Sequence, residues 1–224
     1  NVLAGSVQTP TTNVPVFDLE NRSAGNGYKD ISKYIYRQNV LNPYEEYSHG
    51  VYVQEQMDIS IVKVLVGLRQ EWFTEILNKG TDKETQRETK AFIPRVGLVV
   101  EASENINLYS TWVKGFQPQG ANIQSDPERY GGPFDYVKSE LHEIGLKTEW
   151  FNKRLNATVS VFKIKQENSL EQSAKAGKPD WRVPVDEESN GFEVDVAGRI
   201  VPNWSVVANY AYTDARIVKL KEEG

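Results

Sequence analysis

Cysteine is missing from all 224 residues. Disulfide frameworks and thiolate metal sites are therefore excluded, and the redox compartment leaves no mark on the composition. Histidine occurs only twice, at His49 and His142, far apart in the chain. No nucleophile elbow accompanies them, so a Ser-His-acid arrangement has no sequence support and no enzymatic activity is expected. A glycine-rich phosphate loop is absent too, and no cofactor is called for. No apolar run reaches the roughly 18 residues of a membrane-spanning helix. The net charge is −5, so the basic footprint of a nucleic-acid binder is lacking. Mean hydropathy is low, at −0.55. That argues against a large dry core but not against a membrane barrel, whose alternating strands keep the average near that of a soluble protein.

What the chain does have is period-two patterning, clearest in HEIGLKTEWFNKRLNATVSVFKI at 142–164. Ile144, Leu146, Thr148 and Trp150 fall on one face, with Glu143, Gly145, Lys147 and Glu149 on the other. After a polar turn, Leu155, Ala157, Val159 and Val161 oppose Asn156, Thr158 and Ser160. Strands with two unlike faces read this way. Similar segments lie at 46–58, 62–73, 89–101, 105–116, 139–150, 155–165, 191–199 and 203–216, with a weaker one near 30–40. They run about 9–14 residues. Globular strands average about five or six, whereas tilted membrane strands need about 9–11.

The connections alternate strictly. Short polar ones lie near Ile59-Ser60-Ile61, Ser103-Glu104-Asn105, Asn152-Lys153-Arg154 and Arg199 to Asn203. Long ones are expected at about 74–88, 117–138 and 166–190, with 1–29 leading in. The repeating unit is thus a hairpin of about 45 residues, and all long loops fall at one end, as in outer-membrane barrels. None of these loops carries a helical apolar stripe, so no helix is assigned. Trp150 ends a strand at a short turn and Trp204 begins one after a short turn. Tyr212 lies on the face of Trp204, roughly 20 Å higher at 3.3 Å per residue and a tilt near 40°, close to an apolar band about 25 Å tall. Charges oppose the apolar face at Glu143, Lys147 and Glu149, at Glu193 and Asp195, and at Arg69 and Glu71. A soluble sheet's solvent face would look alike. The fold class expected is all-β, an antiparallel transmembrane β-barrel. Here it would be a partial barrel of about 8–9 strands, with short periplasmic turns and long extracellular loops.

Four blocks then carry a resemblance: GVYVQEQM…KVLVGLRQEW (50–72), FIPRVGLVV…NLYSTWVKGFQPQ (92–119), HEIGLKTEWFNKRLNATVSVFKI (142–164) and NGFEVDVAGRIVPNWSVVANYAYTDARI (190–217). In order and spacing they resemble the barrel of TonB-dependent siderophore receptors. The resemblance implies a barrel of about 22 strands whose lumen is filled by a preceding plug. Residues 1–224 are accordingly expected to be part of that barrel, with the plug and the remaining strands absent. Neither a TonB box nor the family's aromatic-ended last strand is found. Where the family commonly has a Gly-Glu-Gln-Arg-Ser-like run, this chain reads Asp186-Glu187-Glu188-Ser189-Asn190. An open edge presents unpaired backbone groups, which lipid does not tolerate. Insertion of this piece alone is therefore not expected.

The resemblance implies a ferric siderophore as transported ligand, outer-membrane lipid around the wall, and a TonB complex reached through the plug. Candidate ligand-binding residues at outward strand ends and loops are Phe116 and Gln117, then Arg129, Tyr130, Phe134 and Tyr136, and finally Trp181 and Arg182. Aromatic bodies and cations of this kind suit an iron chelate bearing aromatic or hydroxamate groups. Mutual packing of the loops is the plainer role for the same residues. Other readings are a porin, a cobalamin or carbohydrate receptor, and a soluble β-rich binding module.

Overall fold

The structure, a computed structural model, describes residues 3–8, 35–40, 42–173, 175–201 and 203–221. Two short strands, β1 (Leu3–Gln8) and β2 (Ile35–Val40), pair with each other in a sheet of their own. Most of the expected 1–29 lead-in lies outside the described residues. Eight longer strands follow: β3 (Tyr44–Ile59), β4 (Val62–Leu77), β5 (Thr85–Ser103), β6 (Ile106–Gln117), β7 (Val137–Trp150), β8 (Leu155–Gln172), β9 (Arg182–Val201) and β10 (Trp204–Leu220). They form one antiparallel sheet in sequence order, each strand bonded to the next. This is the wall of an up-and-down barrel.

The short turns fall where the sequence places them. Ser60 turns β3 into β4 with φ of 56°, and Phe151, Asn152 and Lys153 turn β7 into β8 with φ of 52°, 57° and 64°. Register then sorts the side chains, because directly paired residues share a face. Ser110, Ile144, Val161, Phe192 and Tyr212 make one continuous row from β6 to β10. Leu108, Leu146, Val159, Val194 and Tyr210 make the row below it. Both Ile144 (61% exposed) and Val161 (55%) stand mid-sheet yet bare. In a soluble sandwich a second sheet would cover such a face; among the described residues none does. The buried apolar residues gather instead at the loop end, in Phe73, Leu77, Ala121, Phe134, Trp181 and Val185. This is a barrel wall, with its apolar face toward lipid and its polar face toward the lumen. Glu55 is an exception, a carboxylate on the outward face of β3 in register with Val66.

The luminal face is surfaced by side chains lying flat. Tyr109 reaches across Gly145 to donate to Glu143 Oε1 at 2.5 Å. Arg95 reaches across Gly67 and donates to Gln54 on β3. These glycines thus make room for a neighbouring strand's side chain, and no bulge is needed to explain them. A Cβ at position 145 would collide with the Tyr109 ring. Gly145→Val is expected to destabilise the barrel by about 1–3 kcal/mol, as overpacking does. The urea midpoint of the full-length protein refolded in bilayers would show it.

The wall is not evenly knit. Pairing of β5 with β6 runs from Ser103–Ile106 only to Arg95–Val113. Beyond it β5 continues beside β4 alone, and β6 beside β7 alone. The first unpaired residue of β5 on this side is Pro94, which has no N–H to donate to a ladder. Above it the two strands part, leaving a seam at the loop end.

The strands also run further than their apolar patterning does. β4 and β5 extend to Leu77 and from Thr85, and β8 and β9 extend to Gln172 and from Arg182. The expected loops at 74–88 and 166–190 are therefore shorter, although the alternation of short and long connections holds. The 118–136 connection shows no helical stripe in its sequence, yet it contains two single-turn helices, α1 (Ala121–Gln124) and α2 (Pro127–Tyr130).

Candidate functional site

The loop end is built around the 118–136 connection. Asp126 caps α2 by accepting from the Arg129 backbone N–H at 3.2 Å, and Pro127 fills the first helical position, where no N–H is needed. Gln124 holds Phe134 from both sides: its Nε2 donates to Phe134 O at 2.7 Å, and its Oε1 accepts from Phe134 N at 3.0 Å. Arg87 on β5 donates to the same carbonyl at 3.0 Å. At the other end of the loop, Gln119 donates to Asn168 O at 2.7 Å and Asn168 donates to Tyr136 O at 3.0 Å, tying the loop to β8. The connection therefore bridges the upper ends of β4, β5 and β8 and covers the split between β5 and β6.

Phe116, Phe134 and Tyr136 come together here. Phe116 packs edge-on against Phe73 and Tyr136, with ring centroids 6.1 and 4.7 Å apart. With Glu75, Arg87, Gln119 and Gln124 they line a cavity of about 250 Å³. Arg129 stacks on Tyr130 at 4.9 Å and reaches the next loop through an ion pair to Asp180 at 2.7 Å. Trp181 follows Asp180, covered by the ammonium groups of Lys175 and Lys178 at 3.5 and 4.5 Å. Gln117 is exposed, and Arg182, paired with Gln172 on β8, is not part of the cavity lining. Phe134 (5% exposed) and Trp181 (8%) are buried within the loops, so packing accounts for both rings. In this arrangement Arg129, Tyr130 and Tyr136 keep accessible surface.

The cavity also holds two residues the sequence reading passed over. Glu75 and Arg87 face each other in register across β4 and β5. Glu75 Oε1 and Arg87 Nη1 are nonetheless buried with no hydrogen-bond partner. Glu75 lies three residues above Trp72, beyond the apolar band. Its burial raises the carboxyl pKa above the ordinary 4.5, and the Arg87 charge offsets this only in part. A carboxyl pKa raised on folding destabilises the fold once pH climbs past the ordinary value. Glu75→Gln is therefore expected to stabilise the loop end at pH 7 and to lose that advantage below about pH 4. Hydrogen exchange of β4 and β5 measured across that range would show the difference.

Comparison with known proteins places this architecture. The profile described as TonB dependent receptor-like, beta-barrel, matches residues 4–223. The ferric-pyoverdine receptor PbuA of a Pseudomonas strain is 24% identical over 76% of this chain and 21% of its own length. The metal-pseudopaline receptor CntO of Pseudomonas aeruginosa is 29% identical over 67% of this chain and 21% of its own. Among solved structures, the alcaligin outer-membrane receptor FauA of Bordetella pertussis superposes with a TM-score of 0.61 at 20% identity, over 85% of this chain and 34% of that one. The ferripyoverdine receptor of P. aeruginosa does so with a TM-score of 0.65 at 20% identity, over 84% and 24%. The chain spans about a fifth of the length of these two curated relatives.

Proposed function

From the premise that this chain belongs to the TonB-dependent receptor β-barrel family of Gram-negative outer membranes, we propose that it is a section of barrel wall in a receptor that takes up a ferric siderophore. In this proposal the plug and the remaining strands belong to other parts of the same polypeptide, and a TonB complex acts through that plug. The supporting observation is a cavity lined by aromatic and charged residues at the loop end of a wall whose outward face is bare and apolar. The wall's part is passive. It supplies a rigid frame, and its outward loops select the chelate, while an energised partner would move the plug. Arg129, Tyr130 and Tyr136 are the proposed contacts to the chelate. Phe116, Gln117, Phe134, Trp181 and Arg182 complete or support the same surface.

The two curated relatives named above are a ferric-pyoverdine receptor and a metal-pseudopaline receptor. The second name favours a variant of the reading, in which the chelated metal is not iron. Growth of a strain carrying the full-length gene under iron limitation, compared with its deletion, tests both. Rescue by one class of ferric siderophore is expected. Rescue by no siderophore, with gene-dependent uptake of a different metal chelate, would overturn the iron assignment and leave the receptor assignment standing.

A further inference from the structure

Upper β5 carries a free strand edge. Glu101 N–H donates to Ile61 O at 2.8 Å, so the polar backbone groups of Glu101 point at β4. Along an antiparallel ladder this direction alternates residue by residue, and the β4–β5 register is unbroken from Val62–Val100 to Leu77–Thr85. Arg87, Thr89, Ala91 and Ile93 therefore bond to β4. Val96, Leu98 and Val100 turn toward β6, where Trp112, Ser110 and Leu108 meet them. Glu88, Lys90 and Phe92 turn the same way but lie above the last β5–β6 pair. Their N–H and C=O groups have no ladder partner on that side among the described residues. The 118–136 connection lies over this edge, yet its bond to β5 comes from the Arg87 side chain.

Two cavities follow the edge. One, of about 250 Å³, is lined by Glu88, Thr89 and Lys90, and the other, of about 200 Å³, by Ala91 and Phe92; Phe116 and Tyr136 border both. From Glu88 to Phe92 the edge is about 13 Å long at 3.3 Å per residue, room for about four extended residues. The first cavity also holds Glu75, which is 4% exposed. Glu75 Oε1 and Arg87 Nη1, an acceptor and a donor on residues in register, are buried there without a partner. The charged residues of the second cavity are of both signs, Lys114, Lys138 and Lys165 with Glu140 and Glu167, so charge selects neither an anion nor a cation.

We propose that the cargo is a chelate with a peptide backbone, and that this backbone lies against the free edge of β5 as an added strand. This rests on the chelate-receptor reading above and names the class of cargo. A free edge offers N–H and C=O in alternation, and a second peptide chain complements both, so that main-chain bonds give affinity whatever the side chains are. An amide likewise complements the Glu75–Arg87 pair, donating to the carboxylate and accepting from the guanidinium. A chelate built only of metal-bound oxygens offers acceptors alone.

The test is calorimetric titration of the full-length receptor in detergent. The probe is the ferric complex of a linear peptide of three Nδ-acetyl-Nδ-hydroxyornithine residues. The reference is ferric tris(acetohydroxamate), which presents the same iron ligands without a backbone. The wild type is expected to bind the peptide chelate roughly tenfold or more tightly than the reference. Lys90→Pro deletes an edge N–H and spares the β4 ladder, so it should fold normally and bind the peptide chelate about fivefold more weakly. Lys90→Ala keeps that N–H, so the loss should be confined to the proline variant. Methylating the backbone nitrogens of the probe should weaken its binding to the wild type by a similar factor. Heat-dependent gel mobility reports folding separately; were Lys90→Pro not to fold, the methylated probe on the wild type decides alone. Equal binding of the two chelates, no loss on methylation, or unchanged binding by a folded Lys90→Pro would overturn the inference and leave the chelate-receptor reading standing. Binding of neither chelate would overturn it as well, and the growth assay above then decides the chelate-receptor reading by itself.

Discussion

Ile144→Arg is expected to remove most of the folded receptor from the membrane, while Thr158→Arg leaves it nearly unchanged. Ile144 sits mid-strand on β7 between Ser110 and Val161, 61% exposed, and among the described residues no second layer covers it. That face meets lipid, so a guanidinium there lies near the bilayer midplane, where it costs about 2–4 kcal/mol. Against a typical folding free energy of about 5–15 kcal/mol this is a large fraction. Thr158 is on the opposite face, in register with Lys147 and Asp195. An arginine there meets water and a carboxylate, so a change within about 1 kcal/mol is expected. The comparison isolates direction, because the two positions lie on adjacent strands and receive the same side chain. Heat-dependent gel mobility and urea titration of the full-length protein in bilayers would measure it. If Ile144→Arg folded as well as wild type and Thr158→Arg did not, the face assignment would be reversed.

How far the sequence could reveal this architecture depended on where water replaces lipid. From Ile144 to Val161 the apolar residues keep to one face, and the β7–β8 hairpin pairs as that alternation requires, with Trp150 opposite Leu155. Above the apolar band both faces of the wall are wet, so alternation of hydrophobicity ceases although the strands do not. GTDKETQRETK reads as loop for that reason, yet its second half, from Thr85, is β5. The same effect hid Glu75 and Arg87. Only the register of β4 with β5, continued past Phe73, places them together. The α1 and α2 helices are four residues each, too short to display an apolar stripe, although Asp126 followed by Pro127 is a helix-start signal. The seam had one local marker, Pro94, but a proline in a strand does not say which neighbour is lost.

The choice between packing and ligand contact can be forced at Phe134. The side chain is 5% exposed, its backbone is bracketed by Gln124, and its carbonyl also accepts from Arg87. Truncating a buried phenylalanine costs about 3–5 kcal/mol when the site does not collapse. Here the loss falls on a loop that is held to the wall mainly by side-chain hydrogen bonds. It should therefore appear as local opening and not as unfolding of the barrel. Phe134→Ala is expected to remove hydrogen-exchange protection across 118–136 and to weaken chelate binding at least tenfold, because Arg129 and Tyr130 are positioned by the same loop. Phe134→Leu keeps most of the buried volume and should recover most of both properties. A residue acting through direct ring contact with the chelate would behave differently. Leucine would then bind as poorly as alanine, and exchange protection of the loop would stay at the wild-type level in both variants. Exchange mass spectrometry and ligand titration on the same two proteins separate the cases, and the expected result makes Phe134 the core of the loop, with Arg129, Tyr130 and Tyr136 left as its working surface.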